Sequence, residues 1–370
     1  MRIVVFGTYD AAAHPRVGVL RDGLRAAGHD VVECDAPLGL GTAQRVAILR
    51  QPWRLPQLAL RLARCWSRLL RRALRLRREG PVDVVLVGYL GHFDVHLARR
   101  LFPRAVLVLD HLVFAADTAA DRGERGALKQ RLLRGVDAAA LRTADVVVLD
   151  TDEHAALVPA PLRARAVVVP VGAPKDWLRV GEARPPVTRD GPLRVVFFGL
   201  FTPLQGAPVI AAALAREPDL PLHVTMVGGG QDLAAAQRLA GADPRITWVP
   251  WVTPKELPAL VATHDVCLGV FGTGPKALRV VPNKVFQGAA AGCALVTSDT
   301  APQRRLLEGA AVLVPPGDAD ALAAALRELA ADRERCADLA DRARRLAGSA
   351  FAPAEVVRPL LARLEEIARA

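Results

Sequence analysis

Lysine occupies only five of these 370 positions, and two of the five, Lys276 and Lys284, lie within nine residues of each other. They belong to the run Phe271-Gly272-Thr273-Gly274-Pro275-Lys276-Ala277-Leu278-Arg279-Val280-Val281-Pro282-Asn283-Lys284-Val285-Phe286-Gln287. A glycine-containing loop carries Lys276 and Arg279. Pro282 then opens a helix that bears Asn283, Lys284 and Gln287. Residues three and four apart share a helix face, so these last three are expected on one side. Three cations around a helix N-terminus suit a diphosphate, because the free amides and the dipole there also favour negative charge. The alternative is a solvated basic loop.

Two more strand-to-helix turns are built for close approach. Phe198-Gly199-Leu200-Phe201-Thr202-Pro203-Leu204-Gln205-Gly206 ends a strand in glycine. Thr202 can cap the next helix and bind an anion, and Gln205 can hydrogen-bond a phosphate or sugar without adding charge. Gly228, Gly229 and Gly230 follow another strand, and amides there can cradle phosphate; a plain tight turn is the competing reading. Near the N-terminus, Gly7 and Thr8 end a strand and Pro15-Arg16 opens a helix. This is either a substrate-facing loop or a generic turn, and it is not the G-x-G-x-x-G of dinucleotide binding. His92 lies in a further strand-to-helix loop, Asp110-His111 ends another strand, and Asp117 and Arg122 fall in an irregular stretch. Asp150-Thr151-Asp152 has a D-x-D look but is read as a helix cap.

Short Val/Leu/Ile runs bounded by turn residues alternate with helical patterns, which reads as buried parallel strands with crossover helices. The expected strands are Ile3–Phe6, Val31–Cys34, Val84–Val87, Ala105–Leu109, Val146–Leu149 and Ala166–Val169, then Leu193–Phe198, Leu222–Val227, Arg245–Val249, Val266–Val270, Ala294–Thr297 and Ala311–Val314. Two long helices, about Ala319–Ala347 and Pro353–Arg369, close the chain. Residues 171–192 hold four prolines and no strand pattern, and are read as a linker. The expected class is α/β: two Rossmann-like, doubly wound parallel-sheet domains facing a central cleft. The boundaries are 1–170, the linker 171–192, 193–350, and a C-terminal helix 351–370 that packs back on the first domain.

From residue 193 to about 345 the sequence resembles the retaining GT-B glycosyltransferases of family 4 (glycosyl transferases group 1). The likeness is carried by Phe198–Gly206, by Met226-Val227-Gly228-Gly229-Gly230, by Val281-Pro282-Asn283-Lys284-Val285-Phe286-Gln287 with Ala291-Gly292, and by Val312-Leu313-Val314-Pro315-Pro316-Gly317-Asp318. It implies a nucleoside-diphosphate sugar held by the second domain, with Lys276, Arg279 and Lys284 on the diphosphate. Gly199, Thr202, Gln205, Gly206 and Gly228–Gly230 would shape that pocket, Asn283 would stand beside it, Gln287 would bind ribose, and Trp251 would pack on the base. The sugar would pass with retention to an acceptor in the first domain, without a metal and with no resident cofactor. Asp110, His111 and His92 would act at the reacting groups, with Gly7, Thr8, Arg16, Asp117 and Arg122 on the acceptor side. The family's Arg and Lys in the first loop fall here on Leu200 and Gln205, and its E-x7-E pair falls on Arg279 and Gln287. These departures imply an acidic, deoxy or otherwise unusual sugar, or lost activity. A nucleotide-sugar epimerase of the same fold and a non-catalytic nucleotide-sugar or membrane-surface binding protein are the rivals.

The composition agrees with two packed domains. It is 52% hydrophobic and 24% charged, and no apolar run reaches the length of a membrane-spanning helix. Five widely spaced cysteines without a C-x-x-C argue against a disulfide framework or a cysteine zinc site, and for a reduced, cytoplasmic setting. Of the net charge of +11, a matching eleven Arg stand between Ala36 and Arg78 with no Asp or Glu. Within Gln44–Arg78, Val46, Leu49, Trp53, Leu58, Leu62, Trp66, Leu69 and Leu70 recur at helical spacing. This is either an ordinary core-facing helix or one that docks on an anionic membrane face. Nucleic acid is not expected as a partner.

Overall fold

The computed structural model describes residues 1–11, 14–40, 53, 55–124, 126–184 and 190–369. Successive side chains on a strand point to opposite faces, and in the first sheet both faces are buried. On β1 (Arg2–Gly7), Val4 and Phe6 enter one core while Ile3 and Val5 enter another. β2 (Asp30–Asp35), β3 (Val84–Val87), β4 (Val106–Asp110), β5 (Val146–Leu149) and β6 (Ala166–Val168) complete a parallel sheet in the order β2-β1-β3-β4-β5-β6. The first core is covered by α2 (Leu55–Glu79), α3 (Asp94–Leu101) and α5 (Ala127–Thr143); α4 (Ala115–Asp121) packs against α5. The opposite core is covered by α1 (Pro15–Ala26) and by the last helix of the chain.

A second parallel sheet comprises β7 (Leu193–Phe198), β8 (Leu222–Val227), β9 (Ile246–Val249), β10 (Val266–Leu268), β11 (Ala294–Ser298) and β12 (Ala311–Val314). Its order is β12-β11-β10-β7-β8-β9. The chain runs outward from β7 and then returns to β10 on the other side of β7. Between β7 and β10 lies the switch point at which doubly wound sheets bind ligands. In the first sheet the equivalent point lies between β1 and β3. The twelve strands match the sequence reading to within two residues at each end, and the α/β class holds. Both alternations were visible as continuous apolar runs.

Three details differ from the sequence reading. Lys175–Glu182, inside the expected linker, is a helix. Trp177 is buried there and stacks on Phe198 at 5.6 Å, and a Cβ on Gly181 would sit 1.8 Å from the Ala290 carbonyl oxygen. The long helix expected over Ala319–Ala347 is two helices, because the Asp332 side chain accepts from the Arg335 amide and starts a new one. The basic helix begins at Leu55; Val46 and Leu49 lie outside the described residues.

The chain divides into unit 1, residues 1–170 with 356–370, and unit 2, residues 171–355. α6 (Asn283–Ala290) belongs to unit 2, and α7 (Arg358–Arg369) belongs to unit 1. Val356, Val357, Leu360 and Leu364 are buried in the same core as Ile3, Val5 and Leu20, and α7 packs on β6. The Arg363 guanidinium donates to the Ala164 carbonyl at 3.0 Å. Leu360→Ala should therefore lower the unfolding free energy of unit 1 by about 2–5 kcal/mol in urea titrations. An unchanged midpoint would show that α7 contributes nothing to that core.

Candidate functional site

In unit 2 the loops after β7, β8 and β10 meet backbone to backbone. A Cβ on Gly228 (φ +124°) would lie 2.0 Å from the Gly199 carbonyl oxygen. One on Gly206 (φ +69°) would lie 2.6 Å from the Phe271 carbonyl carbon. No other residue type fits either place. The loops are further joined by the Phe201 amide to the Gly229 carbonyl, 2.9 Å, and the Phe271 amide to the Gln205 carbonyl, 3.1 Å. Thr202 accepts from the Gln205 amide through its carbonyl, closing the turn before the helix at Ala207.

Beneath this junction lies Lys284, on the first turn of α6 and only 4% exposed. Its ammonium donates to Gln205 Oε1 at 2.5 Å and sits 3.6 Å from the centre of the Phe197 ring. Gln205 occupies a position where the resembled family carries lysine. A lysine there would oppose a second ammonium to Lys284, so the neutral amide is the compatible partner. Gln287, one turn on, is also buried, whereas Asn283 is exposed. The common face expected for all three is thus split between the interior and the surface. Lys276 and Arg279 are half-buried on the loop before α6, and Trp251, just past β9, is 71% exposed.

In unit 1 the candidate residues are mainly held by buried carboxylates. Thr8 donates from its amide (2.7 Å) and hydroxyl (2.8 Å) to Asp94 Oδ2, and the Trp66 indole donates to Oδ1 at 2.8 Å. A Cβ on the neighbouring Gly7 would lie 3.2 Å from the same carboxylate. Arg16 and Asp110, expected on the acceptor side and at the reacting groups, form one fully buried ion pair at 2.7 Å. The Arg16 guanidinium also donates to the carbonyls of Val169 and Pro170. Burial raises the Asp110 carboxyl above its ordinary range, although Arg16 pulls it down. Asp117 and Arg122 are half-buried on and just after α4.

His92 and His111 converge on a residue that the sequence reading missed, Asp137. His92 Nε2 lies 3.0 Å from Asp137 Oδ1 and His111 Nε2 lies 3.8 Å from it. The two imidazole rings are 4.9 Å apart and edge to face. Burial acts to raise the Asp137 carboxyl, but hydrogen bonds from His92 and the Ala115 amide outweigh it and hold the group low. Burial, followed by the neighbouring His92, pushes His111 down to about 3, so it is neutral. A signal for Asp137 did exist. It shares a helical stripe with buried Ala140 and Leu141, and an acid on an apolar stripe needs a partner. Asp150 pairs with His154 Nδ1 at 2.5 Å, while Thr151 caps the helix that begins at Asp152, as its D-x-D reading as a cap expected.

Burial lowers Lys284 from its ordinary 10.5 to about 7. Unfolding between those pH values takes up a proton. The stability associated with neutral Lys284 is therefore complete above pH 10.5 and is lost as the pH falls to 7. Lys284→Met should gain on the parent at pH 7 relative to pH 10 by a few kcal/mol, measured by chemical unfolding at both values. An equal difference at both would show an undisplaced lysine.

Residues 192–332 match the family model described as glycosyl transferases group 1. No curated protein matches the chain. Among solved structures, sucrose-phosphate synthase from Thermosynechococcus elongatus is similar with a TM-score of 0.70 and 17% identity, over 100% of this chain and 99% of that one. HepE from Anabaena, solved with UDP, gives a TM-score of 0.63 and 15% identity over 99% and 100%. A glycosyltransferase from Rickettsia africae gives 0.65 and 12% over 99% and 98%. At these identities the likeness establishes the fold. Residues 192–332 therefore match glycosyl transferases group 1, on a chain with the GT-B fold.

Proposed function

We propose that the protein transfers a sugar from a nucleoside-diphosphate sugar, UDP-linked in the first instance, to an acceptor held by unit 1. The observation that carries this reading is the glycine-tight meeting of the β7, β8 and β10 loops at the switch point of the second sheet, inside the segment that matches the family. Such a junction brings amides within reach of a diphosphate. Lys276 and Arg279 stand on the adjoining loop to neutralise it as it leaves. Gln287 bonds ribose, Asn283 stands at the rim, and Trp251 offers its face to the base. Lys284 supports the β7 loop through Gln205. HepE was solved with UDP and with UDP-glucose, which favours UDP as the nucleotide. Retention and a diphosphate bound without metal complete the reading. With UDP at 100 times its Kd, thermal unfolding should reflect about 2.7 kcal/mol of stabilisation, and Lys276→Ala should remove most of it. No shift with any nucleoside diphosphate would end this reading.

We further propose that α2 docks on an anionic membrane face. Leu58, Leu62, Cys65, Leu69 and Ala73 pack one stripe of α2 into unit 1. Arg61, Arg64, Arg68, Arg71 and Arg75 form an exposed stripe at spacings of three and four. Leu60, Leu70 and Leu74 are also exposed, at 53, 40 and 41%. Arginine flanking exposed leucine suits an acidic bilayer surface. No helix among the described residues is long and apolar enough to cross a membrane. The protein should sediment with phosphatidylglycerol vesicles, less so after Arg61, Arg64 and Arg68 are changed to Gln. Equal binding to phosphatidylcholine would refute the docking.

A further inference from the structure

We propose that His92, His111 and Asp137 bind one transition-metal ion of the Zn²⁺ class inside unit 1. The three residues are 7, 2 and 4% exposed. They arrive from the β3–α3 loop, the end of β4 and the middle of α5, separated in sequence by 19 and 26 residues. No spacing motif could have announced them. Their donor atoms all lie within 4.8 Å of one another, with His92 Nε2 and His111 Nε2 at 3.0 and 3.8 Å from Asp137 Oδ1. A tetrahedral ion with bonds of about 2.0–2.1 Å holds its donors roughly 3.3 Å apart, so the two pairs on Asp137 need adjustments of about half an ångström and the two imidazole nitrogens must close by up to about 1.5 Å.

The unpaired atom points the same way. His111 Nε2 is buried and has no hydrogen-bond partner. A bound ion would give it one. The carboxylate is already aimed: the Ala115 amide donates to Oδ1 at 2.9 Å and the Ala116 amide to Oδ2 at 3.3 Å. Such outer hydrogen bonds orient a metal-bound carboxylate. Phe114 lies edge-on to the His111 ring at 4.5 Å and fixes its plane. Two imidazoles and one carboxylate select Zn²⁺, Co²⁺ or Fe²⁺ over Mg²⁺ or Ca²⁺, which take oxygen donors. Three protein donors leave a fourth position for water. The site lies wholly in unit 1 and does not depend on the donor assignment in unit 2.

The full-length protein, stripped with a chelator and dialysed, is titrated with Co²⁺ and followed by its visible absorption. One equivalent should bind with intense d–d bands, and Zn²⁺ should bleach them. His111→Gln, and separately Asp137→Asn, should each weaken Co²⁺ at least tenfold while circular dichroism stays that of the parent. The parent titration stands even if a variant misfolds. Failure of the parent to bind one equivalent, or binding unchanged in both folded variants, would overturn the site and leave a metal-free hydrogen-bonded cluster.

Discussion

Close contact between backbones, with no side chain between them, is the constraint on which unit 2 depends. The β7, β8 and β10 loops approach until the Gly228 Cα faces the Gly199 carbonyl and the Gly206 Cα faces Phe271. Each contact forbids a Cβ, so glycine there is a geometric requirement as well as a conformational one. The junction also needs support from within. Phe197 on β7 and Lys284 on α6 provide it, and Gln205 carries the connection up into the loop. Loop position, ring and ammonium are therefore coupled, and a change at one alters the others.

Unit 1 is organised by buried charge. Arg16 ties α1 to Asp110 at the end of β4 and to the carbonyls after β6. Asp94 gathers the β1 loop and the α2 indole at the start of α3. Asp137 does the same for the β3 loop and the N-terminus of α4. Removing one partner from a buried pair leaves an uncompensated charge, which costs far more than the pair contributes. These ties hold loops at the carboxyl ends of the strands, where regular backbone pairing has stopped.

Much of this architecture was legible in the sequence, because a parallel strand buried on both faces writes itself as an apolar run. Ile3–Phe6 and Val84–Val87 needed no tertiary knowledge. The helix Lys175–Glu182 was hidden because the prolines around it dominate a local reading, while its support is the distant Phe198 and Ala290. Side-chain pairing was less legible still. Arg16 and Asp110 each look like site residues in isolation, and only the fold shows that they are bonded to each other. The glycine turns could be picked out by type. Which carbonyl each glycine accommodates could not, since those partners lie on other strands.

Unit 1 is discontinuous in sequence, because α7 returns to it after unit 2 has intervened. This imposes an order on assembly during translation. Unit 2 is one continuous stretch and can close its core as soon as it emerges. Unit 1 has its first 170 residues early, but one face of its sheet lacks Leu360 and Leu364 until all of unit 2 has been made. At about 5–20 residues per second that interval lasts roughly 10–40 s. Throughout it the apolar surface beside β6 that α7 later covers is available to chaperones, or to another nascent chain.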